Sequence, residues 1–224
     1  MANRLEDTAG NAGKAPSRAA RKEERRRQLI DATITSISRH GISGTTMTTV
    51  TQIAGLSLGL VNFHFKTKEA LFEETLRHLA EEHREQWRKS VGKSGLAPEA
   101  KLIAIVEAQF HPRICNRRKL AVWFGFFGEA AYRSSYRKIV TGIDSERWEV
   151  STALCRQIVE EGGYGAVDPK GVAKSLEGLF DGFWLNMLMY PGEFTRSDAL
   201  EQVQGFLAVT FPGHFEPPTG GDGA

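Results

Sequence analysis

Residues 46–71 read TMTTVTQIAGLSLGLVNFHFKTKEAL, and their pattern predicts two short helices joined by a tight turn. One helical face carries Met47, Val50 and Ala54, which recur at helical spacing and can pack a segment of about two turns. Gly55 ends that helix, because a residue without a Cβ atom adopts the left-handed backbone of a tight turn at little cost.

The second predicted helix covers residues 58–64. Ser57 precedes it, and its hydroxyl can cap the helix by accepting a backbone N–H. Val61 would point to the core. The outward face would carry Leu58, Gly59, Leu60, Asn62 and Phe63. A helix, a glycine turn and a second helix presented outward form the helix-turn-helix arrangement that enters the major groove of DNA.

The stretch closely resembles the DNA-binding domain of TetR-type regulators, and the match spans roughly residues 24–72. The matching positions are Thr46, Val50, Thr51, Ala54, Gly55, Leu56, Ser57, Gly59, Asn62, His64, Phe65, Lys68 and Leu71. Asn62 stands where the family usually has a tyrosine that touches a phosphate, and Thr51 replaces a small alanine. The resemblance implies a DNA-binding transcriptional regulator, with repression as the usual mode.

Candidate DNA contacts follow from these positions. Asn62 can hydrogen-bond a base edge or a phosphate, whereas the apolar residues beside it offer only contacts such as those to thymine methyl groups; packing within the domain is the alternative for the leucines. Hydroxyl and N–H groups at the start of the first helix can hold a phosphate. The resemblance implies that Lys68 contacts backbone phosphate, while His64 either joins it or packs. The predicted DNA-binding set is Thr46, Thr48, Thr49, Ser57, Leu58, Gly59, Leu60, Asn62, Phe63, His64 and Lys68.

The net charge of +2 is unevenly distributed along the chain. Residues 1–68 hold 11 Lys/Arg and 5 Asp/Glu, which gives +6, while residues 69–224 hold 18 and 22, which gives −4. This division indicates one part that meets phosphates and another that does not. The basic run at residues 21–27 has two interpretations, phosphate contact or a solvated first helical turn.

The whole sequence predicts an all-α fold of about nine helices, because strand-like alternation is absent. A three-helix DNA-binding domain is predicted at residues 21–72, and a helical ligand-sensing and dimerisation domain at residues 73–211. Residues 1–20 are predicted to form a disordered arm and residues 212–224 a disordered tail, because bulky apolar groups are scarce in the first and Pro and Gly are frequent in the second.

An enzyme is the main competing class, and the sequence offers no site for one. The six histidines are scattered without metal-ligand spacing, and neither a Gly-rich phosphate loop nor a Gly-x-Ser-x-Gly motif is present. We therefore expect no catalytic residue, no metal and no cofactor. Cys115 and Cys155 are expected to be free thiols of a cytoplasmic protein. No secretory signal or membrane span is predicted.

Two aromatic clusters with carboxylates among them lie beyond the DNA-binding domain. The predicted ligand-binding set is Trp123, Phe126, Phe127, Glu129, Asp181 and Trp184. Tryptophan faces beside a carboxylate suit a quaternary ammonium ion, through cation–π attraction and charge. Core packing is the alternative interpretation, because aromatic residues at helical spacing are usually buried.

The C-terminal two-thirds resembles, more loosely, the BetI-type branch of the TetR family, the repressors of choline-to-betaine genes. The resemblance rests on Trp123-x-x-Phe126-Phe127, Tyr136-Arg137, and Leu179-Phe180-Asp181-Gly182-Phe183-Trp184-Leu185. It implies a small-molecule effector such as choline, with an effector of another class, or none, as alternatives. The effector would change the angle of the long helix predicted at residues 67–90.

One short helix covers only a few base pairs, whereas a two-fold dimer places two such helices about one turn of DNA apart. The family pairs its last two long helices in a four-helix bundle, which here implies residues 168–190 and 197–210. Gly178 and Gly182 would let these helices approach closely. We expect a homodimer on a palindromic double-stranded DNA operator.

Overall fold

The computed structural model describes residues 17–92 and 95–218. Within these ranges the chain forms nine α-helices and no β-strand, which confirms the all-α prediction. The helices are α1 (Arg18–Gly44), α2 (Met47–Ala54), α3 (Leu58–His64), α4 (Lys68–Val91), α5 (Pro98–Gln109), α6 (Arg117–Ala130), α7 (Ser134–Gly162), α8 (Pro169–Met189) and α9 (Arg196–Thr210).

Helices α1, α2 and α3 share one apolar core. Val50 of α2 and Val61 of α3 are completely buried in the same cluster as Leu29 and Ile34 of α1. Together with the first turns of α4 these helices form the N-terminal domain. Because α3 has only seven residues, tertiary burial at Val61 rather than intrinsic propensity must hold it in place.

The turn between α2 and α3 follows from its capping residues. Thr46 Oγ1 accepts the Thr49 N–H at 3.1 Å, while Thr49 Oγ1 accepts the Thr46 N–H at 2.9 Å. This reciprocal capping box satisfies two N–H groups at the start of α2. Gly55 ends α2 with φ 64° and ψ 33°, and the Ser57 hydroxyl caps α3. The predicted helix, glycine turn and second helix are therefore all present.

Helix α4 extends from the N-terminal domain into the rest of the protein. Its 24 residues span about 36 Å at about 1.5 Å per residue. Thr67 caps its first turn, and the buried face of α4 runs from Leu71 to His83 and Trp87. One continuous helix therefore contributes to the packing at both ends of the molecule.

Helix α6 provides a second connection, and it packs more extensively on α1 than on any other helix. A Cβ atom at Gly125 would lie 3.2 Å from Cγ1 of Ile42, so α6 passes very close to α1 at this point. Ile42 directly follows Gly41, where α1 is kinked at φ 69°. At the start of α6, Arg118 donates a hydrogen bond to Thr35 Oγ1 of α1 at 3.1 Å.

The chain departs from the predicted disordered arm at residues 17–20. Helix α1 begins at Arg18 because the Ser17 hydroxyl accepts the Ala20 N–H at 3.1 Å and caps it. These first residues contain no apolar stripe, so the periodicity placed the start of the helix too late. Residues 1–16 lie outside the described residues, and disorder there stays a prediction.

The predicted disordered tail also begins too early. Phe215 is buried in the apolar core, and the Tyr164 hydroxyl lies 2.8 Å from Nδ1 of His214. Residues 212–218 therefore pack on the body despite their Pro and Gly content, because two aromatic contacts anchor them. Residues 219–224 lie outside the described residues.

Adding a methyl group should destabilise the protein at Gly55 but stabilise it at Gly128. Gly55→Ala should lower the free energy of unfolding by about 1 kcal/mol, because alanine resists the left-handed backbone. Gly128→Ala, in the exposed part of α6 with open space around it, should raise that free energy by roughly 0.5–1 kcal/mol. Urea unfolding curves measure both changes in the free energy of unfolding. If the two variants change it in the same direction, Gly55 is not required by the turn.

Candidate functional site

Helix α3 presents a largely apolar face to solvent. Phe63 is 67% exposed, and Leu58, Gly59 and Asn62 are exposed beside it. Leu60, predicted to face outward, is half-buried because it lies in a groove against α1. The face therefore offers one amide among apolar groups, a combination suited to thymine methyl groups and a polar base edge.

The threonines of α2 already use part of their hydrogen-bonding capacity. Thr46 and Thr49 form the capping box, and Thr49 Oγ1 also lies 3.1 Å from the Ser36 hydroxyl. Thr48 and Thr46 are exposed, whereas Thr49 is half-buried. An incoming phosphate would therefore meet Thr46 and Thr48 first.

Lys68 lies at the start of α4 with its ammonium group turned toward α1. Its Nζ donates to the Ile42 carbonyl oxygen at 3.4 Å and lies 5.0 Å from the centroid of the Phe72 ring. A phosphate contact would require this half-buried side chain to swing outward. The predicted role of Lys68 stays a prediction.

A basic groove separates the start of α1 from α3. Its lining residues are Arg18, Ala19, Arg21, Lys22, Arg25, Leu60, Phe63 and His64. The Lys22 ammonium lies 5.7 Å from the centroid of the exposed Phe63 ring. Partial burial, then the charges of Lys22 and Arg26, lower the pKa of His64, which favours its neutral imidazole. The basic run at 21–27 thus contributes positive charge directly beside α3.

A small cavity lies where helices α4 to α8 meet. Its lining residues are His83, Gln109, Trp123, Phe127, Val140, Asp144, Arg147, Phe180, Asp181 and Trp184. Its volume of about 20 Å³ is enough for about one water molecule. Four residues of the predicted ligand-binding set, Trp123, Phe127, Asp181 and Trp184, come together here from two helices.

Two residues of that set lie elsewhere. Phe126 is completely buried, with its ring edge-on to Phe72 at 6.1 Å and to Tyr136 at 5.2 Å between centroids. Glu129 forms an ion pair with Arg133 at 3.1 Å, away from the cavity. Adjacent residues of a helix point about 100° apart. Phe127 lines the cavity, so the preceding Phe126 points away from it.

One arginine and three carboxylates form a charged cluster beside the cavity. Arg147, only 4% exposed, donates from Nε to Glu177 Oε1 at 2.9 Å and from Nη2 to Asp144 Oδ1 at 3.0 Å. Asp181 lies at the rim, with part of its side chain exposed. Burial, then the charge of Asp144, raise the pKa of Asp181 to about 6, against the lowering effect of Arg147. The excess of carboxylates favours a positively charged group.

His83 organises another part of the wall. Its Nε2 lies 2.8 Å from Oε1 of Gln109, and its ring lies 5.5 Å from that of Trp184 and 6.3 Å from that of Trp123 between centroids. Burial lowers the pKa of His83 to about 3, so the ring is neutral. Because Gln109 Oε1 can only accept, this contact requires the tautomer that carries its proton on Nε2. Trp184 Nε1 donates to the Gln109 carbonyl at 3.0 Å, which fixes that indole.

The lining residues that the sequence did not predict are His83, Gln109, Val140, Asp144, Arg147 and Phe180. A partial signal existed at Asp144 and Arg147, which stand three residues apart, the spacing of an ion pair within a helix. The meeting of His83 with Gln109 depends on the packing of α4 against α5, which periodicity does not reveal.

The outer surface of α8 and α9 carries exposed apolar side chains. Val209 is 84% exposed, and Leu185 and Met189 are exposed on α8. Gly178 and Gly182 are also exposed, and a Cβ atom at either would meet no described atom within 4 Å. This surface has the apolar character and small residues that let another helix approach.

Two further features concern only residues 17–92 and 95–218. None of their helices is both long and apolar enough to cross a membrane. They bring together no group of His, Cys, Asp and Glu side chains suited to holding a metal ion. Cys115 and Cys155 are buried free thiols, as expected.

Two family models match the chain. Residues 29–75 match the model of bacterial regulatory proteins of the tetR family, and residues 98–212 match the C-terminal model of BetI-type transcriptional repressors. The HTH-type transcriptional regulator BetI of Burkholderia thailandensis is 30% identical over 192 residues, which cover 83% of this chain and 93% of that protein.

Solved structures share the fold. One of Pseudomonas aeruginosa PAO1, solved as a transcriptional regulator, matches with a TM-score of 0.74 and 26% identity over 86% of this chain and 93% of that chain. A regulator from Saccharomonospora viridis, solved in complex with choline, matches with a TM-score of 0.73 over 83% of this chain and 96% of that chain. Its identity of 17% shows a common fold alone.

The charged cluster should reveal itself in the pH dependence of stability. Because the pKa of Asp181 is raised in the folded protein, its ionised form opposes folding. Asp181→Asn should therefore raise the melting temperature at pH 7.5, with the gain shrinking as the pH falls through about 6 toward 4.5.

Asp198→Asn is the matched control. Hydrogen bonds from Thr195 lower the pKa of Asp198, so its carboxylate stabilises the folded state above the unfolded pKa. This variant should lower the melting temperature throughout pH 4.5–7.5. Parallel pH profiles for the two variants would contradict the raised pKa of Asp181.

Proposed function

Because the chain belongs to the TetR family of transcriptional regulators and carries a BetI-type C-terminal domain, we propose that this DNA-binding repressor responds to a small quaternary ammonium effector, such as choline. The observation that carries the proposal is the meeting of Trp123, Phe127 and Trp184 with carboxylates at one cavity. The repressor acts as a homodimer on a palindromic operator and releases DNA when the effector binds.

DNA contact is assigned to α3, the start of α2 and the basic groove. The exposed Phe63, Leu58 and Asn62 read the major groove, while cations of α1 and the turn before α4 meet phosphates. Phosphate contacts supply affinity and position for any sequence, whereas α3 supplies the choice among sequences.

Aromatic rings and charge favour a cationic effector. Indole faces attract quaternary ammonium ions that lack N–H donors, and Asp181 at the rim adds charge attraction. The cavity must expand to admit such an ion, because its present volume accepts about one water molecule. Expansion moves the rings of Trp123 and Phe127, which belong to α6.

This movement supplies a route to the DNA-binding domain. Helix α6 carries Trp123 and Phe127 on the cavity side, Gly125 against α1, and Phe126 against Phe72 of α4. A shift of α6 therefore changes the position of α1 and the angle of α4 together. The effector acts by binding the shifted conformation more tightly than the DNA-bound one.

The homodimer is assigned to the outer surface of α8 and α9. Its exposed Leu185, Met189 and Val209 would be buried by a second copy, and Gly178 and Gly182 would permit close helix contact. Two N-terminal domains held in this way can contact successive turns of one face of DNA.

Lys68→Ala tests the phosphate contact. Binding should weaken by roughly threefold to tenfold on the operator and on a scrambled duplex alike, because a phosphate contact carries no sequence information. Lys89→Ala, at the far end of the same helix, is the control and should leave both affinities unchanged. Fluorescence anisotropy at several salt concentrations measures the effect, and a loss confined to the operator would contradict this role.

Effector response is tested on DNA taken from upstream of the protein's own gene. Millimolar choline should release the protein from this duplex and change its tryptophan fluorescence with the same midpoint. Asp181→Asn should raise that midpoint by at least about tenfold, because a charge partner is removed. Glu129→Gln, an equivalent change away from the cavity, should leave it unchanged.

If the protein binds this DNA and choline does not release it, the proposal of a repressor stands and the proposal of a quaternary ammonium effector is rejected. A thermal-shift screen would then separate a regulator of another ligand class from one without an effector, because only a ligand of the folded state raises the melting temperature.

A further inference from the structure

A chain of hydroxyl groups joins α1 to the start of α2. Ser36 of α1 is completely buried, and its Oγ lies 3.1 Å from Oγ1 of Thr45 and 3.1 Å from Oγ1 of Thr49. Thr45 is also completely buried, and its hydroxyl donates to the Gly41 carbonyl at 2.8 Å. Three hydroxyls therefore link the kink of α1 to the capping box of α2, and Ser36 provides the central one.

The hydroxyl of Ser36 is used differently from those of its neighbours on α1. Thr33 donates to the Leu29 carbonyl at 2.8 Å, and Thr35 donates to the Asp31 carbonyl at 2.9 Å. Such contacts to the preceding turn are the ordinary fate of a hydroxyl inside a helix. Both contacts of Ser36 instead lie beyond the end of α1. Its hydroxyl therefore serves the junction between two helices.

One direction of hydrogen bonding supplies a proton to every contact in the chain. The Thr46 N–H donates to Thr49 Oγ1 at 2.9 Å, and Thr49 then donates to Ser36. Ser36 in turn donates to Thr45, whose own proton goes to the Gly41 carbonyl. The Thr46 carbonyl, also 2.9 Å from Thr49 Oγ1, already accepts a backbone N–H of α2 at 3.1 Å. Each hydroxyl thus donates once and accepts once, and such chains strengthen cooperatively.

The two ends of the chain lie at points that matter for DNA binding. Thr46 is the exposed N-cap of α2, the helix end assigned to phosphate. Gly41 is the residue at which α1 kinks, with φ 69° and ψ 176°. The next residue, Ile42, lies against Gly125 of α6, and its carbonyl accepts from Lys68 of α4 at 3.4 Å. The chain therefore fixes the phosphate-facing end of α2 to the kink that α6 and α4 also contact.

We propose that Ser36 is a positioning residue for DNA binding, whose hydroxyl holds the start of α2 where Thr46 and Thr48 meet a phosphate. This inference rests on the assignment of that helix end to DNA in the proposed function, and it does not depend on the effector. Every duplex offers the same phosphates, so a displaced start of α2 weakens binding to all sequences alike.

Ser36→Ala tests this role in the full-length protein. Fluorescence anisotropy is measured on a duplex from upstream of the protein's own gene and on a scrambled duplex of equal length. Binding should weaken by about threefold to tenfold on both, because a hydrogen-bonded link is lost and the helix end is displaced. Neutral groups make the lost contact, so the salt dependence should keep its slope, whereas Lys68→Ala should reduce that slope by about 1.

Thr33→Val is the matched control. It removes another completely buried hydroxyl of α1, one that donates within its own helix. This variant should bind both duplexes as the natural protein does, even where its melting temperature falls. Affinities are calculated from the concentration of folded protein, so a general loss of stability does not imitate the effect of Ser36→Ala.

Thr45→Val breaks the chain on the other side of Ser36 and leaves the capping box of α2 intact. It should reproduce the loss of affinity, although the Thr45 side chain is buried away from any DNA. The double variant should bind about as well as either single variant, because one break is sufficient. If Ser36→Ala does not fold, Thr45→Val decides the question.

The outcomes separate this inference from the proposed function. Unchanged affinities in the single variants, or losses that add in the double variant, would overturn the positioning role and leave DNA binding in place. A loss confined to the upstream duplex would also overturn it, because α3 rather than α2 would then be displaced. If the natural protein binds neither duplex, the proposed function fails, and the positioning role fails with it.

Discussion

The close packing of α6 on α1 is the contact on which the rest of the structure depends. At Gly125 the two helices approach so closely that a Cβ atom would lie 3.2 Å from Ile42. The next residue, Phe126, fills the junction with α4, and Phe127 faces the cavity. Protein interiors are close-packed and deform little, so movement on one side of α6 reaches the other as a shift of the whole helix.

The charged cluster is costly for folding, and it lies beside the cavity to which we assign the proposed effector. Arg147 is buried with two carboxylate partners, an arrangement that apolar residues of similar size often replace without loss of stability. Asp181 adds a further carboxylate, whose pKa is raised first by burial and then by the charge of Asp144. Charged groups that destabilise the folded state are common at functional sites, where a bound ligand can compensate for their charge.

Local features of the sequence were sufficient for the helix-turn-helix segment. Gly55, Ser57 and Val61 each act through a contact within a few residues, so spacing alone placed the turn, the cap and the buried position. The all-α class followed from the same periodicity. The predicted boundaries at the two ends of the chain were less accurate. Helix α1 begins early because of a single cap at Ser17, and the segment around Phe215 is held by tertiary aromatic packing. Composition shows neither of these contacts.

The cavity could be predicted only in part. Trp123, Phe127, Asp181 and Trp184 stood out because aromatic and acidic residues recur together along two helices. Phe126 shared the same signal and lies in the core, since composition does not reveal which side of α6 faces α4. His83 and Gln109 gave no signal, because their meeting requires two helices that approach at one particular angle.

The cavity volume of about 20 Å³ has a consequence for the rate of response. An effector larger than water requires an opened cavity, so its apparent affinity is reduced by the free energy of opening. A required conformational change also slows association below the diffusion limit. The response of the protein is therefore set by the free energy of opening as well as by the contacts made in the opened cavity.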